Sequence, residues 1–258
     1  MRSFFMRHAS RKLKNCNLLL AESAFDDISK HAQFSFRNIA HFEHLLAQVV
    51  DCVVIFPESP GSFAELGFFA HSEARKITLV VNRLDLQSVD SFINAGVIDY
   101  IDRDSAFRSQ IHLEFDRKAA PDFSPVIRRL ERLNVKAINR KRLDLNAADH
   151  RPPQILMYLL TYIITTCRVI HVDDLRALSA DLFNEGESIE QFDELISFCL
   201  GSELIARVGP GNSYLVTTSR ANPFIEIDGW DVKDATVTCV QFYQKHVPEV
   251  YDLLRVAS

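Results

Sequence analysis

Asp51-Cys52-Val53-Val54-Ile55-Phe56-Pro57-Glu58-Ser59-Pro60-Gly61-Ser62-Phe63-Ala64-Glu65-Leu66-Gly67 is the stretch on which the reading of this chain turns. Its apolar run from Val53 to Phe56 has the composition of a buried strand. The run stops at Pro57, crosses a short Ser/Pro/Gly loop and enters a helix expected to begin near Ser62. In an open α/β sheet, ligands lie just past the carboxyl ends of strands, at loops of this kind. Two carboxylates, Glu58 and Glu65, frame the loop.

Ser62 and Glu65 match the S-x-x-E capping box, in which the glutamate reaches back to the cap residue's backbone N–H. The competing reading sets Glu65, in the first helical turn, against a substrate. Gly61 permits close backbone approach, and the first-turn N–H groups form a site for anionic or carbonyl oxygens. Ser59 and Ser62 offer hydroxyls suited to sugar oxygens. Glu58, across the loop, is not needed for capping. These residues make Glu65 the candidate catalytic group, with Glu58, Ser59, Gly61 and Ser62 as candidate substrate ligands.

Outward from the loop, Phe36 to Val50 repeats its apolar residues at helical intervals and leads into the key strand. After a helix over Ser62–Arg75, Ile77–Val81 reads as a second buried strand and Val97–Ile101 as a short third. Strands alternating with helices imply a parallel α/β sheet with right-handed crossovers, ending near Lys118. The opening, Met1 to Lys14, reads as a helix, and Leu18–Ala21 is the first convincing strand.

Between 119 and 152 the character changes. A helix expected over Val126–Leu143 carries Arg128, Arg129, Arg132, Lys136, Arg140, Lys141 and Arg142 against one acid, Glu131, in a chain of net charge −5. Such a run is either a solvated linker helix or a phosphate-contacting arm. From Pro153 to Ser258 a second domain is expected. Three helices (Ile155–Cys167, Val172–Phe183, Ser188–Leu200) precede a hairpin of Leu204–Val208 and Ser213–Thr218 around Gly209-Pro-Gly-Asn212. That order suggests a winged helix-turn-helix. Its third helix carries Glu190, Asp193 and Glu194 and no cation, which favours protein docking over entry into a DNA groove. The tail from Ile225, with an apolar helix near Val237–Phe242, packs on this domain or forms a subunit contact in a homo-oligomer.

Composition bounds the rest. The chain has 258 residues, 47% of them hydrophobic, enough for one large or two small cores. No apolar run approaches the roughly 18 residues of a membrane span. The cysteines at 16, 52, 167, 199 and 239 form no Cys-x-x-Cys, which suits a reducing cytoplasm and predicts no zinc site. His41 and His44 lack a third ligand group, so no metal is expected.

The pattern Glu58-Ser-Pro-Gly-Ser-Phe-Ala-Glu65-Leu-Gly67 behind an apolar strand resembles the nucleoside 2-deoxyribosyltransferase-like proteins, in particular the effector toxins of bacterial retrons. Gly61-Ser62-Phe63-Ala64-Glu65 is also similar to the Gly-Thr-x-x-Glu loop of nucleotide-cleaving Rossmann-like hydrolases. Ser91-Phe92-Ile93-Asn94-Ala95-Gly96-Val97 resembles a Phe-Ile-Asn segment of the retron effectors. The likeness is strong over Asp51–Val97, weaker over Leu18–Ile28 and architectural beyond about Ala120.

The resemblance implies an α/β fold: a Rossmann-like parallel sheet over 1–118, a basic helical linker over 119–152 and a winged-helix-like domain over 153–258. It implies an anti-phage toxin that cleaves an N-glycosidic bond of NAD or a related nucleotide, as substrate rather than cofactor, through Glu65. Asn94 joins the candidate substrate ligands. The implied partners are a reverse transcriptase and its DNA–RNA product (msDNA), with the basic segment as the nucleic-acid contact and no membrane involved. Such folds normally open with a strand. Its apparent lack here implies either a start further upstream or a reduced sheet. The alternative function is a catalytically inactive nucleotide-binding or adaptor protein that works through its winged helix.

Overall fold

The computed structural model describes residues 1–13, 16–22, 25, 39–86, 92–107, 110–116, 119–137, 141–143, 152–183, 191–221, 225–227 and 229–256. At 39–41, 86, 132–137, 141–143, 183 and 255–256 the description is of the backbone alone. In chain order, helix α1 (Arg2–Lys12) precedes α2 (Ile39–Val49), strand β1 (Val53–Ile55), α3 (Pro60–Ala70), β2 (Thr78–Arg83), α4 (Asp99–Asp104), β3 (Gln110–Leu113) and α5 (Ser124–Ala137). Then come β4 (Lys141–Leu143), α6 (Pro153–Cys167), β5 (Val169–His171), α7 (Val172–Phe183) and α8 (Phe192–Gly201). The chain closes with β6 (Ile205–Val208), β7 (Tyr214–Thr217), β8 (Ile225–Ile227), α9 (Val232–His246) and α10 (Pro248–Val256). A π-helix spans Ile93–Ile98, and a 3-10 turn over Glu73–Ile77 follows α3.

Two compact units form, one from Met1–Leu18 with Val50–Ile138 and one from Leu19–Val49 with Asn139–Ser258. The first is built on a parallel sheet of order β1-β2-β3. Val54 pairs with Leu79, and Val81 with Ile111. The central strand β2 is buried from Thr78 to Asn82, as its β-branched run predicts. Ser105 ties the edge of the sheet by donating from its hydroxyl to the Thr78 carbonyl at 2.6 Å.

Helix α1 offers Phe5 and Ala9 to this core, with Leu13 just past its end; the spacing of four residues puts all three on one face. Helix α5 adds Val126, Ile127 and Leu130, preceded by the fully buried Phe123. The rings of Phe5 and Phe123 meet edge to face at 5.5 Å. The basic segment therefore begins as a helix of the sheet unit, with an apolar face in the core, and not as a free-standing linker.

Three expectations need correction. Val97–Ile101 is no strand: the π-helix runs into α4, and Ile98 and Ile101, three residues apart, are buried on one helical face. The third strand is Gln110–Leu113, whose alternating burial the apolar-run criterion passed over. Leu18–Ala21 joins no sheet: residues 18–20 are irregular and a helical segment starts at Ala21. A fourth difference concerns the basic helix, which ends at Ala137 rather than Leu143. Lys141–Leu143 instead pairs in parallel with Ile225–Ile227, where ladder hydrogen bonds beside the buried Ile225 and Ile227 outweigh helix continuation.

In the second unit α6 is the central element, with Leu159, Leu160 and Ile164 fully buried. Phe42 of α2 stacks on Phe198 of α8 at 5.0 Å between centroids. β5, β7 and β6 form an antiparallel sheet in that order, giving the sequence helix–strand–helix–helix–strand–strand. The β6–β7 turn requires glycine at 209. Its φ is +76°, and an added Cβ would lie 3.0 Å from both Tyr214 and Leu253. The expected tail helix is present as α9, which leaves Val237 and Phe242 about half exposed. Among the described residues, no helix is long and apolar enough to cross a membrane.

Candidate active site

Parallel pairing puts the carboxyl ends of β1 and β2 at the same edge of the sheet, and the candidate residues gather there. β1 delivers the chain through the buried Phe56 and Pro57 to Glu58. Helix α3 then starts at Pro60, two residues before the expected Ser62. Proline at the first helical position has the right φ and no N–H to leave unsatisfied.

The cap is consequently Ser59, in extended backbone with φ −143° and ψ 160°. Its Oγ accepts from the Ser62 N–H at 3.2 Å, and the Ser62 Oγ accepts from the Ser59 N–H at 2.9 Å. Ser62 Oγ also accepts from the Glu58 N–H at 3.0 Å and donates to the Ser59 carbonyl at 2.9 Å. The two serines close a reciprocal box between themselves.

This corrects the position of Glu65. The first turn of α3 holds no acidic residue, and Glu65 stands in the second turn, outside the capping box. It is half-buried, next to Leu66, whose side chain is buried in the core. Glu65 lies four residues after Gly61 and three after Ser62, hence on the face that carries both.

Gly61 has open space beside it. The nearest atom to an added Cβ is Ser59 Oγ at 3.9 Å, and the backbone φ is not in the left-handed region. Nothing in the fold demands glycine here. Gly61→Ala should accordingly leave the thermal midpoint unchanged or slightly raised, because alanine improves helix propensity by up to about 1 kcal/mol. Were Gly61 a substrate ligand, the added methyl group on the approach to the helix N-terminus should weaken substrate use by about 10-fold in kcat/KM. Differential scanning fluorimetry with steady-state kinetics checks both. Unchanged kinetics would mean that no ligand passes close to this backbone.

Glu58 is held by the amino group of Met1, which donates to its two carboxylate oxygens at 2.7 and 2.9 Å. Asn94 stands half-buried on the π-helix, which packs against α3. Its Oδ1 accepts from Nδ2 of Asn82 at 3.5 Å.

Asn82 is a residue that the sequence pattern does not single out. It is 3% exposed, near the carboxyl end of β2, and its Oδ1 accepts from the Arg83 N–H at 2.8 Å. A buried amide bound to Asn94 fixes that side chain at the sheet edge. Arg83 adds a cation to the same edge, ion-paired to Asp85 and near enough to Glu58 to feel its charge. The Asp85 hydrogen bond raises the Arg83 pKa, and the guanidinium holds Asp85 below the usual carboxylate range. The only sequence signal for Asn82 is a polar residue inside a β-branched run.

The basic residues do not share one element. Arg128 is exposed on α5, while Arg129, half-buried, donates to the Phe107 carbonyl. Arg132 and Lys136 lie on the same helix with their side chains outside the described residues, as is all of Arg140. Lys141 and Arg142 are on β4, in the second unit, where again the backbone alone is described. In α8, Phe192, Leu195, Ile196, Phe198 and Cys199 are buried, and Asp193 is ion-paired to Arg176. Glu190 lies outside the described residues. No group of His, Cys, Asp and Glu suited to a metal ion occurs among the described residues.

Two curated Escherichia coli proteins match. "Retron Ec73 putative ribosyltransferase/DNA-binding protein" is 37% identical over 98 residues, covering 38% of this chain and 31% of its own length. "Retron Ec86 putative ribosyltransferase/DNA-binding protein" is 36% identical over 92 residues, covering 34% and 28%. The match thus spans about a third of the length of either relative. The family described as "STM3845 retron effector protein" matches residues 1–207, most of the chain. By that match, this chain belongs to the STM3845 retron effector protein family.

Proposed function

We propose that this chain is a retron-associated defence effector that cleaves an N-glycosidic bond of NAD or a related nucleotide or deoxynucleoside, with Glu65 as the catalytic carboxylate. On this reading the first unit is a nucleoside deoxyribosyltransferase-like, Rossmann-like layer. The observation that carries the reading is the placement of Glu65 one turn past Gly61 and Ser62, on the same face of the helix that follows the carboxyl end of β1. The relatives' naming as putative ribosyltransferases supports the reaction class.

In the reaction, the bond from the ribose anomeric carbon to the base breaks and its electron pair leaves with the base. From NAD the nicotinamide departs neutral. Positive charge develops on the ribose, and the Glu65 carboxylate stabilises it or captures the carbon covalently. Water then adds at that carbon, loses a proton and frees the sugar; in a transferase, a second base takes the place of water. Glu58, Ser59, Gly61, Ser62 and Asn94 form the substrate-binding rim. Asn82 positions Asn94 by its hydrogen bond. No cofactor takes part, since the nucleotide is the substrate.

The helix–strand–helix–helix–strand–strand order in the second unit supports a winged-helix-like domain. The burial of α8 and the pairing of Asp193 favour a protein-docking role over groove entry. The partners on this reading are the retron reverse transcriptase and its msDNA in the cytoplasm, with Arg128, Arg132, Lys136, Arg140, Lys141 and Arg142 contacting phosphates. Replacing these six by serine should flatten the slope of log affinity against log salt for a DNA–RNA hybrid by up to about 0.9 for each phosphate no longer neutralised. Changes at Asp193 and Glu194 should leave it alone. The reverse outcome, measured by fluorescence anisotropy across a salt series, would exchange the roles of the two segments. Arg129 is left out because its bond to the Phe107 carbonyl gives it a structural task.

The test of the activity is metabolite quantification after induced expression of the chain without its retron partners. NAD or a deoxynucleoside pool should collapse while the matching free base accumulates. Intact pools in cells that contain folded protein would support the adaptor reading instead.

A further inference from the structure

Cys167, at the end of α6, and Cys239, in the middle of α9, line one apolar cavity of about 110 Å³ with Leu159, Ile163, Leu178 and Trp230. The two thiols face the same cavity close enough to influence each other electrostatically, and α9 packs directly on α6. Tyr243, one turn further along α9, also reaches Cys167, and its hydroxyl donates to the Val169 carbonyl at 2.8 Å. Cys167 is buried, whereas Cys239 is half-buried. A pair of facing thiols, one sheltered and one accessible, is the arrangement of a reactive cysteine with its resolving partner.

We infer that Cys167 and Cys239 form a reversible, peroxide-driven disulfide that fastens helix α9 to α6.

The chemistry balances with hydrogen peroxide as oxidant. The Cys239 thiolate attacks one peroxide oxygen, the O–O bond breaks, and hydroxide leaves, taking up a proton to become water. The Cys239 sulfenic acid is then attacked by the Cys167 sulfur. The S–S bond forms, the sulfenic oxygen leaves as water, and the Cys167 proton goes with it. Two thiols and one peroxide give one disulfide and two waters, and a cellular dithiol reverses the step by exchange.

Charge favours the same direction of attack. The neighbouring Cys167 holds the Cys239 thiol down to about 7, and the nearness of Cys239 together with burial pushes Cys167 up. Burial pushes Cys199 up to about 12 and Cys52 higher still, so these two remain inert thiols at neutral pH.

The test is a titration of the purified full chain with hydrogen peroxide, followed by alkylation and non-reducing peptide mass spectrometry. A Cys167–Cys239 cross-linked peptide should appear first, ~10-fold or more faster than any link between Cys16 and Cys52, and vanish on treatment with dithiothreitol. In Cys167→Ser the resolving thiol is gone, and a dimedone adduct should accumulate on Cys239. In Cys239→Ser, a change at a half-buried position, neither product should form. Predominant linkage at Cys16–Cys52, or a folded wild-type chain in which Cys167 and Cys239 stay unlinked, would overturn the inference.

Discussion

Cells expressing Glu65→Gln should grow as well as uninduced cells under conditions in which the wild-type chain is toxic, and the variant should accumulate as folded protein. The physical basis is the position of Glu65 in the second turn of α3, on the face it shares with Gly61 and Ser62. Glutamine keeps the volume and the hydrogen-bonding oxygen but removes the charge that an oxocarbenium-like state needs. Losing a preorganised electrostatic partner of that kind costs about 10²–10³ in rate. The cap is indifferent to the change, because Ser59 and Ser62 close it without Glu65. Since glutamine keeps the shape and the hydrogen-bonding oxygen of the side chain, the thermal midpoint should move by no more than the few degrees expected from about 1 kcal/mol. Full toxicity from a folded Glu65→Gln chain would return this residue to a structural role.

Phe123→Ala should be among the most destabilising single changes in the first unit. Phe123 is fully buried, meets Phe5 edge to face at 5.5 Å and immediately precedes α5. Truncating a buried phenylalanine leaves a cavity and costs about 3–5 kcal/mol. A linker helix outside any core would instead tolerate the change within about 0.5 kcal/mol. Urea denaturation followed by circular dichroism separates these outcomes. A loss near the larger figure places α5 in the sheet's core; a negligible one restores the free linker. The same variant should lose activity in proportion to its unfolded fraction, since α5 and α1 support the sheet that carries the site.

Much of the first unit was legible because its signals are local. An unbroken apolar run, a Pro/Gly loop and a following helix lie within the stretch Asp51–Gly67, and no distant contact is needed to read them. The helix start was misplaced by two residues because proline can open a helix as well as break one, and that moved the cap from Ser62 to Ser59. Val97–Ile101 illustrates the opposite difficulty. A short apolar run suits either a strand or a buried helical face, and only packing decides between them. Lys141–Leu143 read as helix because nothing nearby reveals its partner, Ile225–Ile227.

Asn82 was hidden for a related reason. Its contact with Asn94 depends on where β2 ends and on how the π-helix folds back, neither of which a polar residue in a strand pattern announces. The basic run looked like one surface because its residues are neighbours in sequence. The chain instead divides it between α5 and β4, which belong to different compact units.

Glycosidic cleavage by Glu65 is tested by the time course of free base released from NAD and from deoxynucleosides, resolved chromatographically. Wild-type and Glu65→Gln protein are compared at equal folded concentration. Base should accumulate linearly with wild-type protein from at least one of these substrates, and ~10²–10³-fold more slowly with Glu65→Gln. Equal release by the two proteins, or none by either, would contradict it.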